Sequence, residues 1–194
     1  MATELETQRG MVRVPTGAWS VDPAHSSVEF RVKHMMISTV RGHFDELEGT
    51  IEAAPDYHDS KVRGTVRTAS VDTNEPRRDA HLRSADFFDS DSYPVISFES
   101  TGIEHVHRGD YRVTGDLTLH GETRPVIFDV TVHGVMHDPQ GNDRVGLEVR
   151  GTISRGEFGL RWQQALETGG VVVGDEVRVS ADISAVCTNK EAST

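Results

Sequence analysis

Cysteine is almost missing from this 194-residue chain: Cys187 stands alone near the C-terminus. A single thiol closes no intrachain disulfide and supplies none of the paired spacings of zinc fingers or thioredoxin-like redox centres. Positive charge is scarce as well. Twenty Lys and Arg stand against 31 Asp and Glu, for a formal net charge of -11. Such a chain repels phosphate backbones and anionic bilayers, so nucleic acid is not an expected partner. No apolar run approaches the roughly 20 residues of a spanning helix, and stable membrane insertion is not expected either. The first ten residues, MATELETQRG, carry no basic start, apolar stretch or small-residue cleavage site, which makes a cytoplasmic location the expectation. Polar, aperiodic ends mark 1–16 as a flexible N-terminal tail and 188–194 as a C-terminal tail, leaving 17–187 as one domain.

What the chain has in quantity is alternation. Val28, Phe30 and Val32 share one side of a strand against Glu29, Arg31 and Lys33. The same period of two runs through Tyr111, Val113, Gly115, Leu117 and Leu119, and through Val126, Phe128, Val130 and Val132. It returns in Val145, Leu147, Val149 and Ile153, and in Val177, Val179, Ala181 and Ile183. Turn residues separate these runs: Arg-Gly-Asp at 108–110, His-Gly at 120–121 and Asp-Pro-Gln-Gly-Asn-Asp from 138. Further segments near 44–53, 60–71 and 95–105 bring the count to about eight strands, near the number that closes a barrel around a ligand-sized interior. The expected fold class is therefore all-β, an antiparallel barrel with one or two short helices. One helix is expected within EPRRDAHLRSADFFDSDSY (75–93), where Pro76 suits a first helical position, Leu82 and Ala85 have helical spacing, and Phe87 and Phe88 follow. The second irregular stretch, RWQQALETGGVVVG (161–174), reads as a helical turn or a lid ended by Gly169 and Gly170.

Few residues propose chemistry. Asp22, His25 and Ser26 are the residue types of a hydrolase triad, but neighbours on a strand face opposite ways, and no Gly-x-Ser-x-Gly elbow exists. Asp22-Pro23 reads instead as turn chemistry, with His25 and Ser26 tying the first strand to its neighbours. His105 and His107 share a strand face but lack a third metal ligand, and read as solvated side chains at a hairpin end. Arg78, Asp79 and His81 read as a charged helix start that anchors Phe87 and Phe88 over the sheet. Among ten scattered histidines, His34 stands out at the end of an alternating strand beside Met35 and Met36, placed to grip the polar head of an amphiphile.

Six stretches carry a resemblance: WSVDPAHSSVEFRVKH (19–34), VRGHFDELEGTI (40–51), SVDTNEPRRDAHLRSADFFDSDSYPVISFEST (70–101), GDLTLHGETRPVIFDV (115–130), ISRGEFGL (153–160) and VGDEVRVSADISA (173–185). In this order they are similar to the successive motifs of the YceI-like family of polyisoprenoid-binding proteins, over about residues 17 to 186. The resemblance implies a lipocalin-like antiparallel β-barrel whose apolar pocket holds an isoprenoid chain or similar amphiphilic lipid, often in a homodimer. It implies no catalytic residue and no cofactor, and no metal site is expected. One departure is that many members resemble exported proteins with a signal peptide, which this N-terminus does not.

Strand parity nominates Phe30, Val32, Phe98, Leu117, Phe128 and Leu147 as pocket lining, with Phe87, Phe88, Phe158 and Trp162 as covers. His34, Met35 and Met36, with Ile37, are expected to rim the mouth, where unbranched methionine adapts to chains of variable shape. Two other functions stay open on sequence: an enzyme working on a small hydrophobic substrate through His34 or His81, and a filled barrel acting through its outer surface in a stress response.

Overall fold

The computed structural model describes residues 10–164 and 171–188. Their strands, in chain order, are β1 (Gly17–Val21), β2 (Ser27–His34), β3 (Ser38–Phe44), β4 (Leu47–Ala53), β5 (Lys61–Arg67) and β6 (Val71–Asp72). After one helix, α1 (Pro76–Arg83), come β7 (Val95–His107), β8 (Asp110–Leu119), β9 (Glu122–His137), β10 (Asp143–Ser154) and β11 (Val173–Cys187). The ring β1-β4-β5-β7-β8-β9-β10-β11 closes on itself through β1 and β11, so the architecture is a closed eight-stranded antiparallel barrel.

Eleven segments make eight staves because the early strands are broken. β11 pairs with β2 from Val173 to Asp182 and with β1 from Ala185 to Cys187, so β1 and β2 are two halves of one stave. Between them Pro23 opens a 3-10 turn, where its missing N–H costs nothing to the ladder. Asp22 caps that turn by accepting from the Ala24 N–H. A second 3-10 turn, Thr68–Ser70, divides β5 from β6 in the same way. Beyond these breaks β2, β3 and β6 leave the closed ring, and α1 with the residues after it brings Leu82, Phe87 and Phe88 to that end of the interior. The helix starts at Pro76 as its sequence indicates. Glu75 caps it by accepting from the Arg77 and Arg78 N–H groups, and Ser84 ends it by bonding the His81 carbonyl. Ala85 lies past the end.

At the opposite end the chain closes the barrel with its own N-terminal segment. The sequence reading placed 1–16 in a tail, yet from Gly10 onward the segment is tied down. Val12 donates to the Arg108 carbonyl at 3.0 Å and accepts from the Tyr111 hydroxyl at 2.8 Å, and Trp19 Nε1 donates to the Pro15 carbonyl at 2.9 Å. Val12 and Val14 pack against a core cluster of Trp19, Ile51, Ala53, Tyr111, Val132, Val145, Leu147 and Ala185. A second cluster, Phe44, Val71, Phe88, Leu117, Leu119, Phe158 and Leu160, fills the end near α1. Two separate clusters, rather than one continuous core, leave the middle of the barrel unfilled.

Candidate functional site: an apolar cavity through the barrel

Between the two clusters lies a cavity of about 360 Å³, within the roughly 300–1,000 Å³ span of small-molecule sites. Its wall is the inward parity of nearly every stave. Val28, Phe30 and Val32 of β2 line it, as do Tyr111, Val113, Leu117 and Leu119 of β8. β9 adds Phe128, Val130 and Val132, β10 adds Leu147, Val149 and Ile153, and β11 adds Val177, Val179, Ala181 and Ile183. Val14 and Tyr57 reach it from one end and Leu82, Phe87, Phe88 and Leu160 from the other. A wall so largely apolar offers a polar guest few partners.

Glycines on neighbouring strands give the aromatic rings their room. A Cβ on Gly42 would stand 2.7 Å from Phe30 Cε1, and one on Gly115 2.5 Å from Phe98 Cε2. Each ring therefore lies flat on the wall over a missing side chain instead of crossing the cavity, which is the cross-strand use of glycine under an aromatic. Phe98 and Phe128 meet edge to face at 5.3 Å, and Phe44 bridges Phe30 and Phe88 at 5.7 Å each.

The sequence-nominated residues divide sharply. Phe30, Val32, Phe98, Leu117, Phe128 and Leu147 line the cavity together with Phe87 and Phe88. Phe158 is buried completely inside the cluster at the α1 end, so it is core and not cover. Trp162 lies outside the lining, packed at a tilt on Phe87 at 5.3 Å and edge-on to His81 at 4.9 Å. His34, Met35 and Met36 do not reach the cavity. They belong to the β2–β3 hairpin, whose tip stands clear of the barrel with Met36 62 % and Ile37 83 % exposed. Of the stretch 161–174, residues 165–170 lie outside the described residues; on its flanks the Gln163 side-chain amide pairs with both backbone groups of Val173.

One polar residue in the lining went unnoticed in the sequence. Arg155, 6 % exposed, donates from Nε to the Gly174 carbonyl, from Nη1 to Leu160 and from Nη2 to Val173. Burial pushes its pKa down while the charge of Asp175 opposes that shift. The same physics raises the pKa of the Tyr111 phenol, which is desolvated by its place in the wall. Among the described residues no histidine lines the cavity.

The triad-like residues separate as turn chemistry should. Asp22 bonds His25 at 2.8 Å, while the Ser26 hydroxyl is engaged with the Ser184 backbone. His105 bonds the Arg108 carbonyl at 2.9 Å and a bulge parts it from His107, so the two imidazoles form no shared site. Among the described residues one other group could approach a metal: His43, Asp45 and Asp72 on the outer face. There His43 pairs with Asp45 at 3.1 Å, and Asp72 accepts from the Asn74 N–H.

Residues 19–185 match the model of the YceI-like domain. The chain belongs to the YceI-like family. A curated relative, the UPF0312 protein of Staphylococcus aureus strain COL, is 39 % identical over 165 residues, covering 84 % of this chain and 94 % of that protein. Among solved structures, Burkholderia cenocepacia BcnA superposes with a TM-score of 0.74 at 25 % identity, over 84 % of this chain and 98 % of that one. The Campylobacter jejuni YCEI protein gives 0.68 at 28 % identity, over 82 % and 90 %. A polyisoprenoid binding domain from Saccharophagus degradans gives 0.67 at 18 % identity, over 87 % and 98 %, which supports the YceI-like barrel as a shared fold.

Proposed function

We propose that this YceI-like barrel holds the apolar chain of a polyisoprenoid or similar amphiphilic lipid in its interior, as a carrier, store or sensor, without chemistry on it. The observation that carries the reading is the cavity itself: about 360 Å³, walled by alternate residues of nearly every stave. Moving a lipid chain from water into such a wall gains roughly 25 cal/mol per Å² of apolar area buried, less the cost of ordering the chain. The name of the Saccharophagus degradans neighbour agrees with that ligand class.

An enzyme built on His34 or His81 has no geometric support. His34 lies on the protruding hairpin, and His81 pairs with Asp86 at 2.8 Å outside the lining. A homodimer and a cytoplasmic location belong to the same proposal and are tested by sedimentation and fractionation. The direct test is native mass spectrometry of freshly purified protein. A retained lipid adds mass that denaturation removes; bare protein both as purified and after incubation with a long-chain isoprenoid alcohol overturns the carrier reading.

A further inference from the structure

Three exposed apolar side chains that the cavity does not explain are consecutive in the chain. Met35, Met36 and Ile37 form the β2–β3 tip and are 39 %, 62 % and 83 % exposed. Two of them also hold an unfavourable backbone: Met35 has φ 50° and Met36 φ 60°, the left-handed region that costs an L-residue without a short polar side chain. The Ile37 N–H closes the turn on the His34 carbonyl at 3.2 Å, and the Met35 N–H bonds Val172, which brings the exposed Val171 segment alongside. Positive φ at two successive positions is where a tight turn ordinarily places Asn or Gly.

The outer face behind the tip is basic, in a chain whose net charge is -11. Arg178, Arg31 and Arg41 stand directly opposite one another across β11, β2 and β3, a like-charged row that works against the sheet. Lys33 is two residues nearer the tip on the same face. Glu29 and Glu176 pair with two of these cations, 3.8 Å from Arg31 and 3.3 Å from Arg178. Lys33 and Arg41 make no ion pair among the described residues, and with Asp175, which accepts from the Ser154 hydroxyl and the Gly156 N–H, counted beside the two glutamates, four cations face three anions among the described residues. At about 3.3 Å per residue, Lys33 stands roughly 7 Å and Arg31 roughly 13 Å behind Met35. That spacing matches a wedge entering the roughly 5–10 Å boundary between headgroups and acyl chains while its cations meet the headgroups.

We propose that the β2–β3 tip is a docking foot for an anionic lipid bilayer, reversible and shallow, held by Met35, Met36 and Ile37 in the interface and by the Lys33, Arg31, Arg41 and Arg178 collar on acidic headgroups. The inference rests on the lipid-carrier reading and adds where the cargo is exchanged: the tip lies at the end of the barrel that α1, Phe87 and Phe88 close. Overall negative charge keeps the rest of the surface off the membrane and so orients the molecule.

The test is flotation of the full chain with vesicles of equimolar phosphatidylcholine and phosphatidylglycerol, compared with phosphatidylcholine alone. Wild type co-floats with the anionic vesicles at low ionic strength and is released by salt. Ile37→Asp abolishes flotation, and Arg31→Gln with Arg41→Gln lowers partitioning roughly 25-fold, at about fivefold per cation near the surface. Met136→Asp, at a side chain 77 % exposed at the other end of the barrel, leaves it unchanged. Circular dichroism confirms that each variant is folded. Absence of wild-type flotation, or an equal loss in Met136→Asp, overturns the proposal. So does a wild-type dimer that Ile37→Asp dissolves in the absence of vesicles, because the tip is then a contact between copies. Native mass spectrometry of Ile37→Asp separates the two readings: retained lipid with lost flotation leaves the carrier intact and assigns the defect to docking.

Discussion

The Phe128 ring rests on Gly151 of the neighbouring strand, where a Cβ would stand 2.7 Å from Cε1. The absence of one methyl group on β10 thus sets how far a β9 aromatic projects into the cavity. Gly151→Ala should turn that ring inward, with an overpacking cost of about 1–3 kcal/mol. The variant is expected to melt earlier and to retain less lipid by native mass spectrometry. Wild-type melting and wild-type retention together would show that the ring has slack and that the glycine has no part in shaping the hollow.

Phe128 itself faces the cavity, whereas Glu122 is exposed at the start of β9. A charge introduced at 128 must be desolvated by any lipid that enters, at a cost of several kcal/mol for an unpaired carboxylate. Phe128→Glu should therefore lose bound lipid while Glu122→Gln keeps it, with circular dichroism showing both to be folded barrels. Equal retention by the two variants contradicts the assignment of the wall.

Parity is why the wall was legible. A strand needs only a sidedness, and the alternation of Phe30, Val32, Leu117, Phe128 and Leu147 supplies it, so one correct face places a whole stave. The bulge between Gly146 and Leu147 does turn the inward set of β9 over, from Phe128, Val130 and Val132 to Val135, but it lies beyond the residues nominated on that strand, so their parity stands. Where the chain leaves that rhythm the reading failed. Phe158 sits in a 3-10 turn ended by Gly159 at φ 76°, and a single turn carries no sidedness, so its burial was invisible. Met35 and Met36 occupy a tight turn without the Gly or Asn that normally announces one, which concealed that the hairpin protrudes. Val12 and Val14 belong to no strand and showed no period, although they close one end of the barrel. Arg155 gave only an Arg-Gly dipeptide; its three carbonyl partners come from residues 160, 173 and 174, which only the closed fold assembles.

Arg144 joins two turns at the end of the barrel away from α1. It donates from Nη1 to Asp22 at 2.6 Å and from Nε to Asp138 at 2.8 Å. The Arg144 bond first and the His25 bond second lower the Asp22 pKa from 3.8 to about 2, and Asp138 is likewise held below the carboxylate range by the Asn142 backbone and Arg144. A carboxylate whose folded pKa is depressed contributes stability that is complete above its unfolded pKa and is lost as pH falls through the folded one. Asp22→Asn should therefore lower the denaturation midpoint near neutrality, and the gap to wild type should close between pH 3.8 and about 2. Parallel stability curves across that window would show that the Asp22–Arg144 pair contributes nothing to acid sensitivity.

The hairpin tip sets stability against the docking role. Its two methionines hold positive φ, the signs of a type I′ turn whose preferred residues are Asn and Gly. Met35→Asn with Met36→Gly keeps the turn while releasing a left-handed penalty of about 1–2 kcal/mol per residue. No wall contact is lost, since neither side chain reaches the cavity. The double variant is therefore expected to melt several degrees above wild type, to retain lipid as before and to bind anionic vesicles less. A site that was merely a poor turn would gain stability with vesicle binding unchanged, and a melting point at or below wild type would mean that the methionines already rest without strain.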